Sequence, residues 1–480
     1  MFQKTDKGSS TNQIIGDFDD PNNSFPDEPQ AQLNMQDADD CLPPIGDTAR
    51  QHSDSNVQFR GLAALPPGHV PSYRAVFLIA NAALGAGLLN FPQAYMNAGG
   101  IEIAITLQAG LLIFIIGAFL ILARCADHSQ AATYQDVLLY MLGKRVKNVS
   151  QIFIALYFFG SAMTYIIIIG EQLSSVLEFA SNTSGNWYTD KRFLFCLFAL
   201  LFLLPLCIPR RLKALSYTSF FGGVGAFFIA FVIVYKYFKL ERKKIIQPDK
   251  VINTDWKSAF AAIPVICFGF QCHVSSVAVY AELKNRSIKK FFSCAMVAMV
   301  VCTITYCLSG SFGYKTFGSL TKADILENYS NDDTLVNIAR ISIVFILLSS
   351  FSIVTFCART VIDGMVLSVR NMTVEEGEPT ERRRRVIVTL CWFAACLFIA
   401  SVVPDIGVAI AVIGGIASLF IFVFPGLCLL QTVDLKKRKL SPTDICFVVI
   451  SVVYLVVGAF IFGEVTTLAL QSDITGKQLQ

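Results

Sequence analysis

Long apolar segments, separated by short polar ones, follow one another along the chain from about residue 73. About 20 consecutive apolar residues are needed for a helix to cross the hydrocarbon core of a bilayer. We distinguish eleven such segments and number them spans 1 to 11. In order, they lie at about 73–96, 102–123, 150–178, 192–208, 214–237, 258–280, 290–313, 335–357, 386–403, 406–430 and 443–463. The pattern predicts an all-α integral membrane protein with eleven transmembrane helices. Span 4 is short and spans 9 and 10 meet at Pro404-Asp405, so ten or twelve are alternatives.

The apolar pattern divides the chain into three parts. Residues 1–70 are rich in Asp, Asn, Gln, Ser and Pro, and a segment so poor in apolar residues cannot bury enough surface to fold. We therefore predict a disordered tail at 1–70, a transmembrane domain at 71–470 and a short tail at 471–480.

Lys and Arg residues are concentrated in alternate connections, those after spans 2, 4, 6, 8 and 10. Because an excess of Lys and Arg marks cytosolic loops, these connections and the tail at 1–70 are predicted to be cytosolic. An odd number of spans places the tail at 471–480 on the other side. The connection after span 5 is also basic, although it would lie on the non-cytosolic side.

The simpler expectation for the tail at 1–70 is that it is only a solvated segment. The alternative is that this tail binds a cytosolic regulatory partner.

Composition narrows the function classes. The 480 residues are 54% hydrophobic and 15% charged, with a net charge of +4. That balance gives no sign of nucleic-acid binding, and no nucleophile stands beside a base at a readable spacing, which argues against an enzyme. The predicted non-cytosolic connections contain no cysteine, so no disulfide framework is expected there. They do contain two sequons, which predict glycosylation at Asn182 and Asn328.

Span 1 contains the residues most at odds with a continuous helix. Residues 79–92 read IANAALGAGLLNFP. Each Gly costs about 1 kcal/mol in a helix interior and Pro92 lacks a backbone N–H, so we predict that the helix breaks here. Polar groups freed at membrane depth must be buried in protein or line a wet cavity. The alternative is a close-packed helix crossing at the two glycines.

Span 6 is interrupted at the corresponding position. Residues 262–276 read AIPVICFGFQCHVSS, in which Pro, Gly and a run of polar side chains disturb the apolar pattern. Two broken spans five apart are what an inverted five-plus-five repeat requires, with a midplane site between spans 1 and 6. Cys272 and His273 could be metal ligands, but span 1 offers no Asp, Glu, His or Cys near its break. We therefore expect no metal site other than one for a monovalent cation, and a proton-linked role for His273 stays open.

Polar side chains in other spans are functional candidates, because a charge at the bilayer centre costs about 2.5 to 3.5 kcal/mol on insertion scales. Glu171 and Gln172 in span 3 could line the cavity between spans 1 and 6. Alternatively, they lie near the outer end of span 3 and each pairs with a neighbouring side chain. Arg359 and Asp363 in span 8 are spaced to form an i,i+4 pair. Four hydroxyl groups of span 8 could complete a cation shell or bond back to helix carbonyls; they belong to Ser349, Ser350, Ser352 and Thr355.

At these residues the sequence resembles the sodium-coupled neutral amino acid transporter family, within the amino acid and auxin permease group. Residues 81–92 match the family's first-span pattern of Asn, Gly-small-Gly and Pro, and 270–273 resemble its sixth-span aromatic-x-Cys-His. Within the family, the stretches WYTD at 187–190 and PDIG at 404–407 resemble those of one branch, members 7 and 8, with member 7 the better match. That branch includes a lysosomal exporter of glutamine and asparagine. The resemblance covers about residues 73–470 and implies a LeuT-like fold of eleven helices that works by alternating access.

The resemblance also implies roles for particular residues. Backbone amides of the first break would bind a substrate carboxylate, and Asn81 would contribute to a sodium site. Ser350 falls where relatives carry a sodium-binding hydroxyl, usually that of Thr. The substrate-binding residues expected on this basis are Gly85, Ala86 and Gly87 in span 1, and Phe268, Gln271 and His273 in span 6. Apart from the co-transported Na⁺, no cofactor is expected.

The hypothesis is a sodium-coupled secondary transporter of neutral polar amino acids, glutamine or asparagine first. Its partners would be the amino acid, Na⁺ and the lipid bilayer, with no nucleic acid. The resemblance implies a lysosomal membrane and export to the cytosol, with the plasma membrane as the alternative location. The rival hypothesis is an amino acid sensor that binds the same ligand with little net transport.

Overall fold

The computed structural model describes residues 68–183, 185–208, 215–241, 256–370, 372, 378–403, 406–433 and 440–475. Almost all of the tail predicted at 1–70 lies outside these residues, as do 476–480 of the other tail. Pro404 and Asp405, between spans 9 and 10, and the basic runs at 210–213, 242–250 and 436–439 also lie outside them.

The described residues form fifteen α-helices, which we number in chain order. They are α1 Ser72–Ala83, α2 Gly87–Asn97, α3 Ile101–Ser129, α4 Tyr134–Ser181, α5 Lys191–Phe198, α6 Leu204–Cys207, α7 Leu215–Glu241, α8 Trp256–Gly269, α9 His273–Ala281, α10 Ile288–Phe317, α11 Thr334–Val369, α12 Glu381–Val402, α13 Ile406–Ser418, α14 Phe424–Gln431 and α15 Pro442–Thr475. Two π-helical segments, Ala199–Leu203 and Leu419–Val423, join α5 to α6 and α13 to α14.

Nine helical segments of this described part are long and apolar enough to cross a membrane, or ten if the bent pair α1 and α2 forms one span. The segment predicted as span 4 is not among them; there α5, a π segment and the short α6 follow one another. An all-helical membrane protein with nine or ten spans is therefore shown, and the count of eleven stays a prediction.

Polar residues at the ends of the connections start several helices. Asp333 accepts hydrogen bonds from the amides of Leu335 and Val336, at 3.1 and 3.3 Å, and so caps α11. Thr133 caps α4, which begins well before the apolar run of span 3. The early part of α4 is set off by Gly143, whose φ of 85° only glycine adopts readily. Capping and a glycine kink thus explain why α4 is longer than its span.

Span 6 lies at the centre of the packing and spans 9 and 11 at its edge. In the segment Ala259–Ala281, 78% of the most apolar window is buried, against 22% in both Glu381–Val402 and Pro442–Thr467. Exposed apolar residues on a spanning helix suit contact with lipid, whereas the central helices face other protein. Span 6, which contains the second interruption, is therefore surrounded by other helices.

The segment before α1 pairs with the segment after α9. Val70 donates its N–H to the carbonyl of Glu282 at 2.9 Å, and Lys284 donates to the carbonyl of Val70 at 2.8 Å. Both segments are on the predicted cytosolic side, so this isolated Val70–Leu283 bridge, called here the Val70–Leu283 pairing, joins the start of span 1 to the end of span 6.

Candidate functional site

The first helix break separates α1 from α2 at Leu84, Gly85 and Ala86, and the two helices are bent by 56°. Leu84 leaves the helical region with ψ of 75°. The N–H of Gly85 reaches back to the carbonyl of Ala83 at 2.8 Å, while no described backbone group accepts from Ala86. Gly87 starts α2, where the first N–H groups of any helix have no intrahelical acceptor and the helix dipole is positive. The break therefore presents peptide donors suited to an anion.

Pro92 frees a further backbone group, which another span satisfies. Having no N–H, Pro92 cannot bond to the carbonyl of Leu88 one turn earlier. The hydroxyl of Ser309 on α10 donates to that carbonyl at 3.2 Å. This agrees with the rule that a proline in a membrane helix is tolerated when a neighbour takes up the freed group.

The second break separates α8 from α9 at Phe270, Gln271 and Cys272. Phe270 still donates to Ile266 at 3.0 Å, but Gln271 donates to Phe268 at 3.3 Å, a tighter turn. Cys272 then leaves the helical region, with φ of −138° and ψ of 10°. The segment Ala259–Ala281 nevertheless counts as one span, so this interruption lacks the sharp bend of the first.

The two breaks are in direct contact. A Cβ atom built on Gly87 would lie 2.9 Å from Cα of Gly269 and 3.6 Å from Cδ1 of Phe268. A Cβ atom on Gly269 would in turn lie 2.5 Å from the ring of Phe91. Only glycine allows this approach, because any side chain at either position needs space that the facing residue occupies.

Tyr306 of α10 joins the ends of α1 and α8. Its hydroxyl lies 2.8 Å from the carbonyl of Ala83 and 2.7 Å from that of Gly269. Its ring stacks on Phe91 at 4.0 Å, nearly parallel. A hydroxyl has one hydrogen to donate, so two helix ends share one donor. Sequence reasoning missed this residue, since one Tyr within an apolar span carries no distinguishing signal.

The structure places the predicted substrate-binding residues in two groups. Gly85, Gly87 and Phe268 lie at the meeting of the breaks, where a Cβ on Gly85 would be 3.4 Å from the hydroxyl of Tyr165. His273 instead faces span 2, with Nε2 3.1 Å from the carbonyl of Ile115 and its ring stacked on Phe119 at 4.1 Å. The imidazole is fully buried. Its nearest contacts are therefore structural.

Gln271 connects these two groups. The side-chain amide lies against Nδ1 of His273 at 3.1 Å, and its other polar atom, assigned as Nε2, is buried without a partner among the described residues. Amide orientation is assigned from hydrogen bonding. Because Ile115 can only accept, Nε2 of His273 carries a proton, and a neutral ring then accepts at Nδ1. In either orientation of the amide, one polar atom of Gln271 has no described partner.

Asn81, the predicted sodium ligand of span 1, is 6% exposed, and its Oδ1 has no hydrogen-bond donor among the described residues. A Cβ atom on Gly222 of α7 would lie 2.3 Å from this oxygen. The oxygen is therefore held against α7 in a narrow space. Burial of an amide oxygen without a partner costs about 1 to 3 kcal/mol, and a bound cation would remove this cost.

The span 8 hydroxyls divide between the two expected uses. Ser352 bonds back to the carbonyl of Leu348 at 3.0 Å. Ser350 is 8% exposed, and Oγ1 of Thr355, five residues further along α11, is buried without a well-formed hydrogen bond to a described residue, although the thiol of Cys207 lies close to it. Both lie on α11, which packs against α7 as α1 does. Ser350 and Thr355 therefore remain candidate cation ligands, whereas the hydroxyl of Ser352 is used within its own helix.

Glu171 and Gln172 are at the outer end of span 3 and pair with neighbours. Glu171 forms an ion pair with Lys191 at 3.0 Å. Gln172 donates to the carboxylate of Asp324 at 2.7 Å. Asp324 lies in the connection between spans 7 and 8, and burial, followed by the charge of Glu171, raises its pKa well above the ordinary value. These residues form a polar cluster at the outer end, separate from the breaks.

The expected pair between Arg359 and Asp363 is replaced by two longer-range contacts. Asp363 accepts from Arg384 of α12 at 3.0 Å. Arg359 donates to the carbonyl of Cys207 at 2.7 Å. Neighbouring spans therefore compete successfully with the i,i+4 partner.

The two predicted glycosylation sites differ in accessibility. Asn182 directly follows α4 and is exposed, although Ser184 of its sequon lies outside the described residues. Asn328 is half-buried, and its Nδ2 donates to the carbonyl of Leu320 at 2.7 Å. Asn182 is the better placed of the two, and glycosylation at either stays a prediction.

Comparisons with known proteins identify the family to which the sequence is similar. The model of the family "Transmembrane amino acid transporter protein" matches residues 72–464. Sodium-coupled neutral amino acid transporter 7 of Mus musculus is 40% identical over 415 residues, 85% of this chain and 89% of that protein. Solute carrier family 38 member 8 of Homo sapiens is 32% identical over 412 residues, 83% of this chain and 93% of that protein. The expected resemblance to this family, with members 7 and 8 in that order, is confirmed.

A solved structure aligns over most of the chain. The crystal structure of MhsT in complex with L-phenylalanine has a TM-score of 0.49 and 16% identity, and the alignment covers 82% of this chain and 98% of that one.

Proposed function

This chain belongs to the transmembrane amino acid transporter family, whose members are transporters and not enzymes. We propose that it couples the transport of neutral polar amino acids to the movement of Na⁺ across the membrane. Glutamine and asparagine are the proposed substrates. Alternating access about the helix breaks is the proposed mechanism, within an inverted repeat of five plus five spans.

The observation that carries the proposal is the contact between the two interrupted spans. Bare peptide groups of the first break meet the second break at Gly87 and Gly269. In secondary transporters the amino end of a half-helix faces an anionic substrate group, and unwound backbone coordinates cations. The substrate carboxylate would therefore accept from the amides of Ala86 and Gly87. The free amide atom of Gln271 would meet the polar side chain of the substrate.

The sodium site would be built from uncharged oxygens. Oδ1 of Asn81 and Oγ1 of Thr355 are buried and make no well-formed hydrogen bond to a described residue, and Ser350 lies five residues before Thr355 on α11. Na⁺ moving through 100 mV releases about 2.3 kcal/mol, enough to drive appreciable accumulation. His273 would orient Gln271 through the contact at Nδ1, with no direct contact to substrate.

Access to this site requires helix movement. Asn81, Phe268 and Gln271 are 6%, 5% and 4% exposed. The Val70–Leu283 pairing holds the predicted cytosolic end, and Asn90 of α2, which donates to the carbonyl of Ala323 at 2.9 Å, holds the other. Alternating release of these two contacts would open one side at a time. In a lysosomal membrane this would move substrate from lumen to cytosol.

Uptake by proteoliposomes tests the proposal. The purified full chain is reconstituted, and radiolabelled glutamine, asparagine, leucine and glutamate are compared in sodium and in choline. We expect uptake of glutamine and asparagine only in sodium. Saturable binding without uptake would favour the sensor hypothesis, and uptake equal in sodium and choline would contradict sodium coupling. Imaging of a tagged chain with a lysosomal marker tests the location.

A further inference from the structure

The connection between α10 and α11 contains a short stretch that touches both the first helix break and span 3. We call this stretch, residues 323–327, the outer segment, because it lies at the predicted non-cytosolic end. Asn90 of α2 donates to the carbonyl of Ala323 at 2.9 Å. Gln172 of α4 donates to the carboxylate of Asp324 at 2.7 Å. The outer contact of α2 and a buried acid are therefore adjacent in the chain.

The outer segment also packs closely against α10 and α11. A Cβ atom built on Gly313 of α10 would lie 2.6 Å from Cγ of Pro92 and 3.3 Å from Cδ1 of Ile325. Pro92 of α2 and Ile325 of the outer segment thus meet over the same glycine. Arg340 of α11 donates to the carbonyl of Leu326 at 3.1 Å. A shift of the outer segment therefore changes its contacts with α2 directly.

The Asp324 carboxyl is placed to hold a proton. It is 2% exposed, and its Oδ1 accepts from the amide of Leu326 at 2.9 Å. Its Oδ2 faces the side-chain amide of Gln172, whose Oε1 has no described partner. The amide can be turned so that its oxygen faces the carboxyl, and a protonated carboxyl has an O–H to donate to that oxygen. Protonation therefore satisfies a group that the ionised form leaves unpaired.

The surrounding charges also disfavour ionisation. Those that face the Asp324 carboxyl come from three elements: Glu171 of α4, Glu327 of the outer segment and Arg340 of α11. Both glutamates are themselves paired with lysines, at 3.0 and 3.7 Å. The guanidinium of Arg340 donates to two backbone carbonyls and to the side chain of Asn337. Burial, followed by the charges of the two glutamates, raises the pKa of Asp324, and Arg340 offsets this only in part.

We propose that Asp324 is a proton-sensitive latch of the outer end. The protonated carboxyl bonds to Gln172 and keeps the outer segment against α2 and α4, so that this end stays closed. Loss of the proton leaves a buried carboxylate, which loosens the outer segment together with the contact between Asn90 and Ala323, so that this end opens more readily. The proposal rests on the alternating access of the proposed function, of which this contact is one gate.

The pH dependence has a definite sign. In the open state water reaches the carboxyl, and its pKa returns toward about 3.9, whereas in the closed state the pKa is raised. Opening therefore releases a proton, and a rise in pH favours it. Between the two pKa values, the ratio of open to closed protein increases by up to about tenfold for each pH unit, as linkage to one proton requires.

Hydrogen–deuterium exchange followed by peptide mass spectrometry tests the latch. The full chain is compared with Asp324→Asn, whose amide is neutral at any pH and can donate to Gln172. Both proteins are measured at pH 5 and at pH 8, and each comparison is made at one pH so that intrinsic exchange rates cancel. We expect equal exchange at pH 5. At pH 8 the outer segment and residues 84–90 should exchange about tenfold or more faster in the unmodified chain.

Two further variants distinguish a latch from local loosening. Asp332→Asn, exposed in the same connection, should exchange as the unmodified chain does at both pH values. Asn90→Ala removes the contact with Ala323, so the pH effect should persist in the outer segment and disappear at 84–90. Equal exchange of the unmodified chain and Asp324→Asn at pH 8, or a response confined to the outer segment, would overturn the proposal.

The unmodified chain alone provides a second measurement that does not depend on the folding of Asp324→Asn. The ratio of exchange at 84–90 to exchange in α15, at the edge of the protein, should rise from pH 5 to pH 8. A constant ratio would also overturn the latch. None of these measurements uses transport, so a failure of the proposed function would appear in the uptake assay alone.

Discussion

Gly87 and Gly269 meet backbone to backbone, with a Cβ atom on Gly87 only 2.9 Å from Cα of Gly269. The two residues are the first of α2 and the last of α8, so this contact brings together the helix ends that define the proposed transport site. Phe91 of α2 and Tyr306 of α10 pack beside the contact.

Gly87→Ala should lower the maximal uptake rate about tenfold or more. Overpacking a tight interior site costs about 1 to 3 kcal/mol, and here the facing atoms are backbone. Gly110→Ala in α3 is the matched control, because no atom lies within 4 Å of a Cβ at that position. Sodium-dependent uptake, normalised to folded protein, measures both. Equal uptake by the two variants would argue against a functional role for the close approach.

Asn81→Ala should raise the sodium concentration needed for half-maximal uptake, with little change in abundance. The variant removes a buried amide oxygen that has no described donor, and with it a proposed cation ligand. Thr355→Val tests the second oxygen in the same way. Asn148→Ala, on an exposed position of α4, is the control. An unaltered sodium dependence in both test variants would refute the assigned sodium site.

Tyr306→Phe should slow transport while keeping the ring contact with Phe91. Loss of the hydroxyl leaves the carbonyls of Ala83 and Gly269 without this donor, a cost of about 1 to 3 kcal/mol. Tyr134→Phe is the matched control, because the buried hydroxyl of Tyr134 donates to the backbone carbonyl of Phe420 at 3.2 Å, away from both breaks. Melting temperature and uptake are measured together. A general loss of stability would affect both variants alike, whereas a role in joining the helix ends predicts slower uptake for Tyr306→Phe alone.

Asp324 should make the protein more stable as the pH falls from neutral. Burial and the charge of Glu171 raise the pKa of the Asp324 carboxyl in the folded state. The folded state therefore binds the proton more tightly than the unfolded state, in which the pKa of Asp is about 3.9. Stability from this group is then complete below about pH 3.9 and is lost as pH rises through the folded pKa.

Asp324→Asn should remove this pH dependence and raise the melting temperature at neutral pH. Its new amide could donate to Gln172, whose Oε1 has no described partner. Asp332→Asn, exposed in the same connection, is the control. Thermal melting between pH 4 and 8 measures the effect. Parallel curves for unmodified and Asp324→Asn protein would contradict the prediction.

Gly68→Ala should weaken the Val70–Leu283 pairing and open the predicted cytosolic end. A Cβ at Gly68 would lie 2.4 Å from the carbonyl oxygen of Glu282, so the segment must shift. Alkylation of Cys272, buried at the second break, should become faster when followed by peptide mass spectrometry. Gly463→Ala, with nothing within 4 Å of its Cβ, should leave the rate unchanged. The same rate in both variants would mean that this pairing does not limit access.

Much of the architecture follows from local sequence. Apolar run length predicts membrane helices because the bilayer sets the number of residues that a helix needs. The helix ends near Gly87 and Gly269 coincide with residues that disfavour helix, since glycine and proline act through their own backbone. The family pattern at 81–92 and 270–273 was readable for the same reason: it is a property of short stretches.

The choice of partners was decided only by tertiary structure. His273 bonds to Ile115, Asp324 to Gln172 and Asp363 to Arg384, contacts that join different spans. Apolar periodicity tells which face of a helix is buried but not which side chain it meets, because that depends on how all the helices pack. For the same reason, sequence reasoning counted Thr355 among the candidate hydroxyls of span 8 without a contact to distinguish it, and it did not name Tyr306, whose hydroxyl is shared between two helix ends.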